Sequence, residues 1–157
     1  MFPSTQKLPV EITLPENISI LLVSPCADDY SNLKSTLSPR KIIRCSSASE
    51  ALRQITSEEI ELIICERDLP DGNWKTILAA SEAMEPAPLV LVVSQHADEI
   101  LWAEVLNLGG YDVLLKPFDR NEVNRVIAMA WRFGHGKRAR ETAPPIAPSR
   151  PSVHQYV

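Results

Sequence analysis

The chain has 157 residues, a formal net charge of −4, 45% hydrophobic residues and 23% charged ones. These figures fit a single globular domain with short flanks, exclude a chain too polar to build a core, and leave no room for three domains together. No apolar run approaches the roughly 20 residues of a membrane-spanning helix, and no signal pattern opens the chain, so a cytoplasmic location is expected.

Residues 1–17 hold three prolines and no sustained period, and they read as an irregular leader. Five short runs rich in Ile, Val and Leu then read as strands buried on both faces: Ile18–Val23, Lys41–Cys45, Glu61–Cys65, Leu89–Val93 and Asp112–Leu115. A helical pattern follows each. Tyr30, Leu33 and Leu37 mark the first helix. Ser47-Ala48-Ser49-Glu50 is a capping box opening the second, with Leu52 and Ile55 inward. The third, near Trp74–Met84, is less regular. Leu101, Val105 and Leu108 mark the fourth, stopped by Gly109-Gly110. The fifth, Asp119–Phe133, carries Val123, Val126, Ile127, Ala130 and Trp131 on one face, with Asp119 and Glu122 resembling a second capping box.

From Gly134 the chain turns basic and proline-rich. Residues 134–157 read as a disordered tail, leaving 18–133 as the folded domain. Arg132, Lys137, Arg138, Arg140 and Arg150 against Glu141 give residues 132–157 a charge of +4, so residues 1–131 carry −8. An acidic body argues against nucleic-acid binding, and the cluster Lys137-Arg138-Ala139-Arg140, with no aromatic in it, is a thin footprint for it. Cys26, Cys45 and Cys65 form no CxxC pair and are odd in number, which suits reduced thiols rather than a zinc site or disulfides.

Five strand-then-helix units imply a doubly wound parallel sheet, a flavodoxin-like (βα)5 fold whose functional crevice lies at the strand carboxyl ends. There stand Ser24-Pro25-Cys26-Ala27-Asp28-Asp29, then Glu66-Arg67-Asp68-Leu69-Pro70-Asp71-Gly72, then Ser94-Gln95-His96, then Lys116-Pro117-Phe118. Asp28 and Asp29 suit the acidic first turn of a helix, Asp71-Gly72 suits a turn, and His96 has no second ligand at metal-binding spacing. Trp74 fits either a place over the loop after the third strand or the core face of its helix. Trp102 lies off the stripe of the fourth helix.

In order and spacing, LIICERDLPDG, LVLVVS and GGYDVLLKPF resemble the response-regulator receiver domain of two-component signalling, CheY-like in fold, over Ile18–Arg132. The resemblance puts Glu66 at the phosphoacceptor position, where the family has Asp. It puts Ser24 and Pro25 at the two acidic metal-binding positions. Ser94 takes the switch hydroxyl's place, Lys116 the phosphoryl-pairing lysine's, and Pro117 follows a typically cis peptide. Val113 falls at the switch aromatic's position, and a valine cannot swing in and out as Tyr or Phe does. The family's usual partner face is the fourth helix, fifth strand and fifth helix, with Trp102 as a candidate anchor there.

The expectation is therefore a stand-alone receiver-like signalling protein in a phosphorelay context, not an enzyme, working by protein–protein contacts without phosphorylation. Glu66 would pair with Lys116, and Mg²⁺, which needs an octahedral oxygen set, is not expected to bind. Partners implied are a histidine kinase, a downstream effector, or a second copy across that partner face. Two alternatives stay open: a phosphoacceptor with an altered metal site, and a flavodoxin-like cofactor binder. The second lacks support in the turn SPCADD, which has no glycine to cradle a phosphate.

Overall fold

The computed structural model describes residues 14–96 and 98–140. Its elements run β1 (Ser19–Val23), α1 (Ala27–Leu37), β2 (Lys41–Cys45), α2 (Ala48–Ser57), β3 (Leu62–Glu66), β4 (Asp68–Leu69), β5 (Gly72–Asn73), α3 (Trp74–Glu82), β6 (Leu89–Ser94), α4 (Glu99–Leu108), β7 (Asp112–Leu115) and α5 (Arg120–Arg140). Five strands form one parallel sheet in the order β2-β1-β3-β6-β7. β4 and β5 make a small antiparallel hairpin in the loop after β3.

Strand side chains alternate between two cores because successive residues point to opposite faces. Leu21, Val23, Ile63, Cys65, Val90 and Val92 pack with Ala51, Ile55, Trp74, Ile77 and Val105. Ile20, Leu22, Leu62, Ile64, Leu91 and Val93 pack with Leu33, Leu37, Val123, Val126 and Ile127. Burial on both faces explains why these strands read as unbroken apolar runs.

The helix ends are set by local chemistry. Ser47 Oγ accepts from Glu50 N, and Glu50 Oε1 accepts in return from Ser46 N, one residue before the expected amide. The Asp119 cap is half of a box: Asp119 Oδ2 accepts from Glu122 N, but the Glu122 carboxylate turns to Arg125. Gly109, at φ 112°, ends α4 in the left-handed region that glycine favours.

Several expectations change. β1 starts at Ser19, β3 spans Leu62–Glu66 and β6 ends on Ser94. Leu108 is exposed rather than inward. Helix α5 does not stop at Phe133 but runs through the first part of the expected tail to Arg140. Lys, Arg and Ala there are good helix formers that offset Gly134 and Gly136, each costing about 1 kcal/mol. Nor is all of the leader loose: Leu14 is buried, and Arg40 donates to the carbonyls of Leu14 and Pro15. The rest of the leader, 1–13, and of the tail, 141–157, lies outside the described residues.

Cys45 and Cys65 are buried free thiols, and Cys26 is half-buried. Burial, aided by the Glu50 charge, pushes Cys45 up to about 11. Burial and then the Glu66 charge push Cys65 higher still. Since the thiolate is the nucleophile, iodoacetamide at neutral pH should add one carbamidomethyl group to the folded chain, at Cys26. Intact mass and peptide mapping check this, and early modification of Cys45 or Cys65 would contradict it.

Candidate functional site

The strand order places β1 beside β3, where the chain reverses its direction of travel across the sheet. A crevice at the strand carboxyl ends is expected at such a switch point. In the sheet's register Val23 lies beside Cys65, Glu66 beside Val93 and Ser94 beside Leu115. Ser24, Glu66, Ser94 and Lys116 thus gather at one edge.

Lys116 is the centre of this gathering. Its Nζ lies 2.7 Å from Glu66 Oε1 and 3.0 Å from Asp29 Oδ2. The three side chains are 14%, 17% and 4% exposed, so one cation sits almost out of solvent between two carboxylates. The contact to Asp29 is a hydrogen bond. The contact to Glu66 is an ion pair without hydrogen-bond alignment, and Glu66 Oε1 has no other donor among the described residues. Burial opposes the charged lysine, but contact with and charge from Glu66 and Asp29 outweigh it and hold Lys116 above the ordinary lysine value.

Asp29 is the pocket residue that the sequence reading missed. It does stand in the first turn of α1, as does exposed Asp28. However, it is 3% exposed and also accepts from Ser24 Oγ at 2.6 Å. The available signal was periodicity. The buried stripe of α1 is Asp29, Leu33 and Leu37, at i, i+4 and i+8, with Tyr30 only flanking it.

The other expected residues take varied places. Ser24 is buried; its N–H donates to the Cys45 carbonyl, and its Oγ also accepts from Cys26 N. Pro25 is exposed on the rim. Ser94 is buried, but its Oγ accepts from His96 N, while its carbonyl accepts from Lys116 N. The Lys116–Pro117 peptide is cis. Val113 is half-buried against the core shared with α4. Trp102, also half-buried, donates from Nε1 to Asp112 Oδ1 at 2.8 Å, tying α4 to β7.

The hairpin over the pocket is built from its own sequence. Arg67 N donates to the Val93 carbonyl and Trp74 N to the Arg67 carbonyl. Asp68 pairs with Arg67 at the surface. Asp71 does more than turn the chain: its carboxylate accepts from Ala48 N at 2.7 Å and Ser49 N at 3.1 Å, capping α2 from across the loop. Those backbone bonds hold its carboxyl below the usual carboxylate range. Trp74 is buried in the core beneath this hairpin, which decides between the two places its sequence position allowed.

Among the described residues no group of three His, Cys, Asp or Glu side chains could hold a metal ion, and no helix is long and apolar enough to cross a membrane.

The comparisons with known proteins agree with this architecture. The family model for the response regulator receiver domain matches residues 30–128. The transcriptional regulatory protein ZraR of Escherichia coli K12 is 24% identical over 122 residues, which cover 76% of this chain and 28% of ZraR. The signal receiver domain of an HD domain-containing protein from Pseudomonas fluorescens Pf-5 superposes with a TM-score of 0.69 at 28% identity, covering 76% of this chain and 98% of that one. The receiver domain of a putative LuxO repressor protein from Vibrio parahaemolyticus gives 0.71 at 19% identity, covering 82% and 99%. The chain therefore spans a whole receiver domain but little more than a quarter of ZraR. Five parallel strands wound with five helices, a matching family model and these superpositions agree: the chain belongs to the response-regulator receiver-domain family of two-component signalling.

Proposed function

We propose that this receiver no longer takes phosphate and works as a mostly fixed protein-binding module. One observation carries the reading: Lys116 is already neutralised from two sides, by Glu66 at the acceptor position and by Asp29. An incoming phosphoryl group would have to displace a carboxylate that Lys116 holds out of solvent. Glutamate is one methylene longer than the family's aspartate, so its carboxylate reaches toward the space a phosphoryl group would fill.

The donor set also does not suit Mg²⁺, which wants a near-octahedral shell of oxygens with carboxylates holding it. Ser24 and Pro25 stand at the family's two acidic positions. The nearby Asp29 oxygen is committed to Ser24 and to a lysine ammonium 3.0 Å away, a cation where a second cation would have to sit. Val113 and the Trp102–Asp112 bond support a fixed face at α4 and β7. Partners follow from this reading: a kinase or effector recognised through the domain surface, or a second copy through the α4, β7 and α5 face.

The test is incubation with Mg²⁺ and acetyl phosphate, followed by intact mass. No stable phosphoryl adduct is expected, and tryptophan fluorescence should show no saturable Mg²⁺ response. A phosphoryl adduct lost on Glu66→Gln would sink the proposal and favour a phosphoacceptor with an altered metal site.

A further inference from the structure

β2 forms one edge of the sheet, pairing with β1 alone among the described residues, and β7 forms the other. The Cys45 carbonyl accepts from Ser24 N, so the backbone polar groups of Cys45 face β1. Successive residues of a strand turn these groups to opposite sides. The N–H and C=O groups of Ile42 and Arg44 therefore face outward, a template for another strand.

Positive charge collects along this edge. Tyr30, half-buried on α1, packs on the same core as Ile42. Lys34, one turn along α1, holds its Nζ 5.7 Å from the centre of the Tyr30 ring. Arg44 holds its guanidinium carbon 5.8 Å from the same ring. Both cations are exposed, and neither forms an ion pair among the described residues. Lys41, on the same strand, pairs with Glu58 at the surface, where such pairs contribute little. Residues 1–131 as a whole carry −8, so two unanswered cations on one ring run against the general charge. A charged edge wards off strands of like charge. By the same rule it selects one of opposite charge.

We propose that β2 is a docking edge for an extended acidic segment of a partner protein, which adds to the sheet as a further strand. Its main chain meets the outward groups of Ile42 and Arg44, and its carboxylates meet Arg44 and Lys34 on the Tyr30 side. A second copy offers the same cations along its own β2, so self-pairing concentrates like charge. The edge lies across the sheet from β7 and Lys116, so the proposal holds whether or not the acceptor pocket takes phosphate.

The test uses the full chain with a fluorescein-labelled peptide of alternating Glu and Val, its counterpart with Lys for Glu, and a fully N-methylated form of the Glu peptide. Saturable binding of the Glu peptide, weakened by added salt, is expected. Binding should fall about tenfold or more in Arg44→Glu, in Lys34→Glu and on N-methylation. Hydrogen exchange at the Ile42 and Arg44 amides should slow when the peptide is bound. Arg125→Glu, an equal charge change on α5, should leave binding unchanged, and circular dichroism checks that these variants at exposed positions keep the fold. Absence of saturable binding overturns the proposal, as does equal binding of the Lys peptide. Indifference to N-methylation, unchanged exchange at both β2 amides, or an Arg125→Glu loss as large as that of Arg44→Glu also overturns it.

Discussion

Replacing Lys116 by Met should cost the fold about 3–5 kcal/mol, because removing one partner of a buried ion pair leaves uncompensated charge behind. Two carboxylates would then face one another, with Asp29 only 4% and Glu66 17% exposed. At about 3 °C per kcal/mol for a domain of this size, the melting temperature should fall by roughly 10 °C or more. The pH dependence separates this cause from lost packing. In the parent chain Lys116 has a raised folded-state value, so its contribution is fully present below the ordinary lysine value and fades as the pH rises through the folded one. The gap between the two proteins should therefore be full near neutral pH and shrink as the pH rises through the folded lysine value. Thermal melts across pH measure it, and a gap independent of pH would count against the ion-pair account. Adding Asp29→Asn to the methionine variant should recover part of the loss.

Trp74→Ala should be comparably damaging, at about 3–5 kcal/mol for deleting a buried tryptophan. Trp74 is 2% exposed and among the largest fully buried side chains. Its backbone N–H closes the hairpin onto the Arg67 carbonyl, and Asn73 just before it caps α3 by accepting from Lys75 N. The substitution therefore empties core space under the segment that follows Glu66. Chemical denaturation gives the magnitude, and hydrogen exchange locates it. The amides of Arg67 and Trp74 should lose protection before those of β1 and β3. Uniform loss across the domain would show that the hairpin is not separately held by this side chain.

The inner strands β1, β3 and β6 were legible because both of their faces are buried, so apolar residues run without interruption and need no register to be recognised. The residues at the strand ends could be located for the same reason, and Glu66 meets Lys116 as their positions suggest. Asp29 escaped because two rules met on one residue. A carboxylate in a first helical turn is explained by the helix dipole, and that sufficient explanation hid its alignment with Leu33 and Leu37. The end of α5 escaped because Gly134 and Gly136 resemble a stop signal, whereas their cost is small enough for neighbouring helix formers to carry. The long reach of Asp71 to α2 carries no local sign at all: the two partners are 23 positions apart for Ala48 and 22 for Ser49.

The grip of Arg40 on Leu14 and Pro15 has a consequence for traffic around the molecule. The polypeptide enters beneath β1 at Leu14, and α5 leaves past the same sheet edge at Met129. Both directions of the chain therefore depart from the end opposite Lys116. Within the described fold, the Lys116 end is therefore left clear of both junctions, at Leu14 and past Met129, and its approaches are formed by the strand-end loops alone.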